Sequence, residues 1–132
     1  MAAPSFFSHS LLVALGGAVG AWLRFVAGRT TLALIGPSAF PWATLLVNTA
    51  GSFAMGLLAG WLARHGSGGE GWRLLLGVGL LGGFTTFSAF SLELVGLAQR
   101  GQAMLAVGYA LVSVAAGVLG LLAGLALMRV AA

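Results

Sequence analysis

The residues able to do chemistry in this chain are few, mostly uncharged, and concentrated in one stretch, Gly82-Gly83-Phe84-Thr85-Thr86-Phe87-Ser88-Ala89-Phe90-Ser91. Two adjacent glycines followed by two β-branched threonines form a poor helix interior. A break there leaves backbone carbonyls unpaired, and in apolar surroundings each orphan costs several kcal/mol unless something satisfies it. An ion can do so. Carbonyl oxygens suit a hard cation, and discontinuous helices are a recurring way to hold Na⁺ within a bilayer. The same residues fit a plainer reading, in which Gly82 and Gly83 serve close packing and the threonine hydroxyls bond back to carbonyls one turn earlier.

Two further sets of polar groups recur at helical spacing. Thr44, Asn48 and Ser52 share one face at i+4, with Gly56 and Gly60 continuing it, and Tyr109, Ser113 and Gly117 repeat the pattern later in the chain. With Thr86, Ser88 and Ser91 they could outline a narrow polar track; interhelical hydrogen bonding is the ordinary use of such residues. Neutral donors without a fixed positive charge among them suit a small anion that accepts strong hydrogen bonds and must not be trapped. Phe87 and Phe90, at i and i+3, project from one helix face. Their ring edges, the positive part of the quadrupole, can face an anion, although such pairs are ordinarily packing. Arg24 is an arginine within a span, and Glu93 is the only carboxylate inside one. Arg24 either draws anions toward a vestibule or snorkels to the headgroups. Glu93, one turn past Phe90, is the sole candidate for proton coupling, and is expected instead to cap or pair locally near one pore end.

The elements that must position these groups are transmembrane helices. Of 132 residues, 60% are hydrophobic and 6% charged, with a mean hydropathy of +1.07, an apolar surplus beyond what a core of this size can hide. The apolar start lacks a basic n-region and is read as helix 1, not as a signal peptide. Helix 1 is expected over about residues 8–34 and ends before Gly36-Pro37-Ser38; helix 2 covers about 41–63. A glycine-rich linker from His65 to Gly71 follows, then helix 3 over about 72–99, the turn Arg100-Gly101, and helix 4 over about 102–128. Gly16 and Gly20, Gly56 and Gly60, Gly79 and Gly83, and Gly120 and Gly124 each have the small-xxx-small spacing of tightly packed membrane helices.

The net charge is +4 with no lysine, and the arginines lie singly near helix ends, as interface anchors and not as a nucleic-acid patch. Arg64, Arg73 and Arg129 fall on one side and Arg24, Arg29 and Arg100 on the other, a tally of three against three. A chain without bias has no strong reason to insert one way only, so both orientations are expected. There is no cysteine, hence no disulfide, thiolate chemistry or cysteine-based metal site. No phosphate-binding loop is present either.

Together these residues resemble the Fluc/CrcB family of small dual-topology fluoride channels. The resemblance is carried by residues 16–25 in helix 1, 44–53 in helix 2 and 82–90 in helix 3, and extends over essentially the whole chain. It implies an all-α integral membrane protein of four transmembrane helices per chain, helix 3 broken mid-span, forming an antiparallel homodimer in the cell inner (plasma) membrane. It further implies two fluoride pores and one structural Na⁺ at the dimer centre. By position, Gly82 and Thr85 would offer backbone carbonyls to Na⁺. Phe87 and Phe90 would line the pores, Asn48 would donate to fluoride, and Tyr109 and Ser113 would be pore-facing. This sequence departs from the family at Gly117, where some members carry a serine, and at Ala89, where threonine is usual. The expected function is passive fluoride export, with no enzymatic step and no organic cofactor. The alternative is a small dual-topology proton-coupled multidrug antiporter, which needs a carboxylate central to helix 1; helix 1 has none. A non-transporting scaffold would leave the polar stripes as packing.

Overall fold

The computed structural model describes residues 6–131. Four long helices dominate. Helix α1 covers Phe6–Ile35 and ends where Gly36, at φ 80°, takes the left-handed conformation; its N–H closes the last turn onto Leu32 O at 2.9 Å. Pro37 follows, so the helix cannot resume. Helix α2, Trp42–His65, starts directly after Pro41, whose missing N–H costs nothing at a helix start. A short 3₁₀ turn, Gly66–Gly69, leads into α3, Glu70–Gln99. Gly101, at φ 77°, turns the chain into α4, Ala103–Val130. The four helices run 30, 24, 30 and 28 residues and are long and apolar enough to cross a membrane. At 1.5 Å per residue even the shortest reaches about 36 Å.

Helix α3 is interrupted, as the Gly-Gly-Phe-Thr-Thr run predicts. Its first half, residues 70–84, gives way to extended backbone at Thr85 (φ −80°, ψ 157°) and Thr86 (φ −149°, ψ 116°), and the second half is Phe87–Gln99. Within the first half, Arg73–Leu81 is wound wide, and Gly82 N–H bonds to the carbonyl of Gly77 five residues back. Nothing in the apolar pattern of that segment announces this winding.

Helices pair through glycine. On α1, a Cβ at Gly16 would strike Leu75 O and one at Gly20 would strike Leu80 O, while from α3 a Cβ at Gly79 would come within 2.9 Å of Val13 O. On α2 and α4 the same closeness holds between Gly56 and Leu121 O and between Gly124 and Phe53 O. Backbones approach to a distance that no side chain permits, and the gain is dispersion contact between helices that lipid does not otherwise drive together. Thus α1 lies along the first half of α3, and α2 lies along α4. The second half of α3 packs on α4 around fully buried Leu97 and Tyr109, with Leu45, Ala106, Phe40 and Phe90.

Candidate functional site at the helix break

Two polar backbone groups are set free at Thr86 by the extended conformation, and Asn48 takes both. Thr86 N–H donates to Asn48 Oδ1 at 2.7 Å, and Asn48 Nδ2 donates to Thr86 O at 2.9 Å. The carboxamide thus stands in for a second strand. It spends one of its two N–H groups on this bond, leaving the other available where Asn48 lines a groove. Thr86 is only 8% exposed, so without Asn48 these groups would be buried and unpaired.

The break also frees carbonyls. In an unbroken helix the N–H of Thr86 would donate to Gly82 O and that of Ala89 to Thr85 O. Here Thr86 N–H turns to Asn48, and Ala89 N–H donates instead to Thr86 Oγ1 at 3.1 Å, capping the second half of the helix. Both customary donors are therefore diverted from Gly82 and Thr85. The Thr85 hydroxyl follows the plainer expectation and donates back to Leu81 O at 2.8 Å.

Beside the break lies an open groove of about 340 Å³. Asn48 and Ser52 from α2, Thr85, Thr86, Phe87 and Phe90 from α3, and Ser113 and Gly117 from α4 line it. The two stripes do face each other, since a Cβ at Gly117 would stand 3.5 Å from Ser52 Oγ. Ser113 Oγ is buried near the Tyr109 hydroxyl and makes no hydrogen bond of good geometry among the described residues. Phe87 is 79% exposed although it sits mid-span, and its ring lies 5.7 Å from that of Phe90. Phe90 in turn lies 5.1 Å from Tyr109.

The remaining predicted residues lie around this groove without lining it. Ser88 Oγ is 3.2 Å from Thr86 Oγ1, and Ser91 Oγ donates back to Phe87 O at 2.9 Å. Gly82 is exposed on the first half of α3. Tyr109 is fully buried, and its hydroxyl donates to Glu93 Oε2 at 2.7 Å, while Thr44 Oγ1 donates to Glu93 Oε1 at 2.7 Å. Short bonds to an acidic acceptor are the strong kind, so Glu93 is held by α2 and α4 together. Arg24 is half-buried and borders a smaller cavity of about 130 Å³ with Thr44, Val47, Thr86 and Ala89. Sequence reasoning missed the Thr44–Glu93 and Asn48–Thr86 partnerships. Their signal was the one-turn spacing of Thr44 and Asn48, which puts both on the side of α2 that meets the break.

Four apolar spans, a third helix interrupted at mid-depth, and a groove of neutral donors beside the interruption define a small multi-pass membrane protein built around a polar site within the bilayer. Residues 11–125 match the family model described as "CrcB-like protein, Camphor Resistance (CrcB)". The chain belongs to the CrcB family. It is 63% identical over 118 residues to the fluoride-specific ion channel FluC of Novosphingobium aromaticivorans, covering 89% of this chain and 93% of that one. It is 55% identical over 117 residues to the protein of the same name from Sphingopyxis alaskensis, covering 89% and 92%. With that of Rhizobium leguminosarum bv. trifolii it shares 50% over 121 residues, 92% and 96%.

Proposed function

We propose that this protein is a fluoride-selective ion channel of the bacterial inner membrane that lets fluoride leave the cell passively. It is a channel and not an enzyme. The observation that carries the reading is the groove in which Asn48, Thr86 and Ser113 offer neutral hydrogen-bonding groups beside the rings of Phe87 and Phe90. The relatives named as fluoride-specific channels support it. A small anion stripped of water needs several donors and no fixed cation to trap it. A negative cell interior favours its exit by about 2.3 kcal/mol per 100 mV.

On this reading the groove is one wall of a pore, completed by a second copy of the chain in antiparallel orientation. Exposed Phe87 and the apolar residues flanking the groove would then meet protein instead of lipid. Asn48 and Ser113 donate to fluoride, Phe87 and Phe90 turn ring edges to it, and Thr86, Ser88, Ser91 and Tyr109 extend the polar track. Arg24 serves the vestibule, and Glu93 fixes the Thr44 and Tyr109 hydroxyls at the other end of the track. A structural Na⁺ would sit between two copies of the break, held by Gly82 O and Thr85 O of each. The diversion of Thr86 N–H and Ala89 N–H supports that donor set, because it spares those two carbonyls for a hard cation.

Purified protein in liposomes loaded with fluoride tests the reading. Addition of a potassium ionophore to relieve the electrical load should release fluoride to an external electrode, with no dependence on a proton gradient. Release that follows an imposed pH gradient would favour the antiporter, and no release would remove transport altogether.

A further inference from the structure

A second cavity opens at the end of the bundle where the α1–α2 link meets the α3–α4 turn. It measures about 440 Å³ and is lined by Ser38, Ala39, Pro41, Leu92, Glu93, Gly96 and Arg100. Glu93, Gly96 and Arg100 follow at i, i+3 and i+7, so they share one face of the helix and its turn, over about 10 Å. Arg100 is exposed, and its Nη1 lies 3.5 Å from the place a Cβ on Gly96 would take, so the guanidinium lies back along the helix beside the cavity.

Side-chain contacts link the lining of this cavity to the groove at the break. Glu93 holds Thr44 Oγ1 and Tyr109 OH, and Tyr109 packs on Phe90, which lines the groove. We propose that this cavity is the mouth of the pathway and that Arg100 collects small anions there, cancelling the repulsion of Glu93. The inference rests on the channel reading.

Without Arg100 the mouth would present an approaching anion with one carboxylate and no cation. With it the charges balance, and the guanidinium adds N–H donors. Among the described residues the one ion pair is Arg73 with Glu70, at the opposite end of α3, so Arg100 is not consumed by a carboxylate within 4 Å. A charge acting on approach works through its field, and fields of this kind are screened by salt. That dependence separates collection from a merely structural role.

The test is the initial rate of fluoride release at sub-saturating fluoride, at ionic strengths of about 10 mM and about 1 M, where the screening length falls from about 30 Å to about 3 Å. Arg100→Lys should behave as wild type. Arg100→Gln should be about 3- to 10-fold slower at low ionic strength and Arg100→Glu slower still, within the range of electrostatic steering. Both deficits should shrink to under about twofold at high ionic strength. Ser38→Asp provides a second variant should the arginine changes impair folding. Ser38 Oγ accepts from Phe40 N–H at 3.2 Å, a bond that an aspartate can keep while adding negative charge to the same mouth. It too should slow release at low ionic strength only. Variants that match wild type at low ionic strength, or deficits that salt leaves unchanged, overturn the inference alone. A wild-type protein that releases no fluoride overturns the channel reading and this one with it.

Discussion

Replacing Asn48 by alanine removes the group that holds the helix break together. Two bonds vanish, from Thr86 N–H at 2.7 Å and to Thr86 O at 2.9 Å. Thr86 is buried, so neither backbone group finds water directly. Each buried group left without a partner costs about 1–3 kcal/mol, which places the whole loss at about 2–6 kcal/mol. The side chain of Thr86 provides the control. Thr86→Ala keeps both bonds to Asn48 and loses the cap on Ala89 N–H at 3.1 Å, about 1 kcal/mol, together with the 3.2 Å contact to the exposed Ser88 hydroxyl. Reversible unfolding in mixed micelles should therefore rank the variants wild type, Thr86→Ala, Asn48→Ala, with a wide gap before the last. Release of fluoride should fall with Asn48→Ala as well. An Asn48→Ala protein within about 0.5 kcal/mol of wild type would show that the break holds itself together, and the clamp would lose its meaning.

Three further outcomes are expected. Phe90→Ile keeps much of the apolar volume but loses ring contacts to Tyr109 at 5.1 Å and Phe87 at 5.7 Å, each worth about 0.5–1.5 kcal/mol. Fluoride release should drop at least tenfold while the protein elutes as wild type does; near-normal release would make Phe90 a packing residue. Gly82→Ala should leave the protomer intact, because its Cβ would stand 3.7 Å from Gly77 O, an ordinary contact. On the proposal that two copies meet around Na⁺ at the break, it should weaken their association in micelles, and an unchanged dimer fraction with and without Na⁺ would place the interface elsewhere. Gly68→Cys, in the exposed link before α3 with nothing within 4 Å, should label from both faces of sealed vesicles if both orientations occur. Labelling from one face would refute dual insertion.

The spans were legible in the sequence because lipid leaves a chain little freedom: long apolar runs separated by Gly36-Pro37 and Gly66–Gly69 can form little other than helices. The interruption of α3 was legible for the same reason, since Gly82, Gly83, Thr85 and Thr86 are the residues least suited to continue a helix there. What fills the broken positions was not. Asn48 and Thr86 are 38 residues apart, and Thr44 and Glu93 are 49 apart, so their pairing depends on how α2 and α3 are rotated toward each other. Hydrophobic periodicity sets such rotations in a protein with one wet face, but these helices are apolar over most of their length and carry only narrow polar stripes. Glycine spacing named the faces that touch and not which helix each one meets.

That partner choice alternates along the chain, α1 with α3 and α2 with α4. During synthesis, then, neighbours in sequence have little to hold on to. The end of α1 leaves the ribosome about 50 residues before the first half of α3 is complete, a wait of roughly 3–10 s at ordinary elongation rates. Through that interval the first two helices sit in lipid with their glycine faces uncovered. Gly56 waits longer still, because Leu121 and Gly124 follow it by about 65 residues. The two pairs of this bundle therefore assemble in order, with α4 sealing the second pair after the first has met.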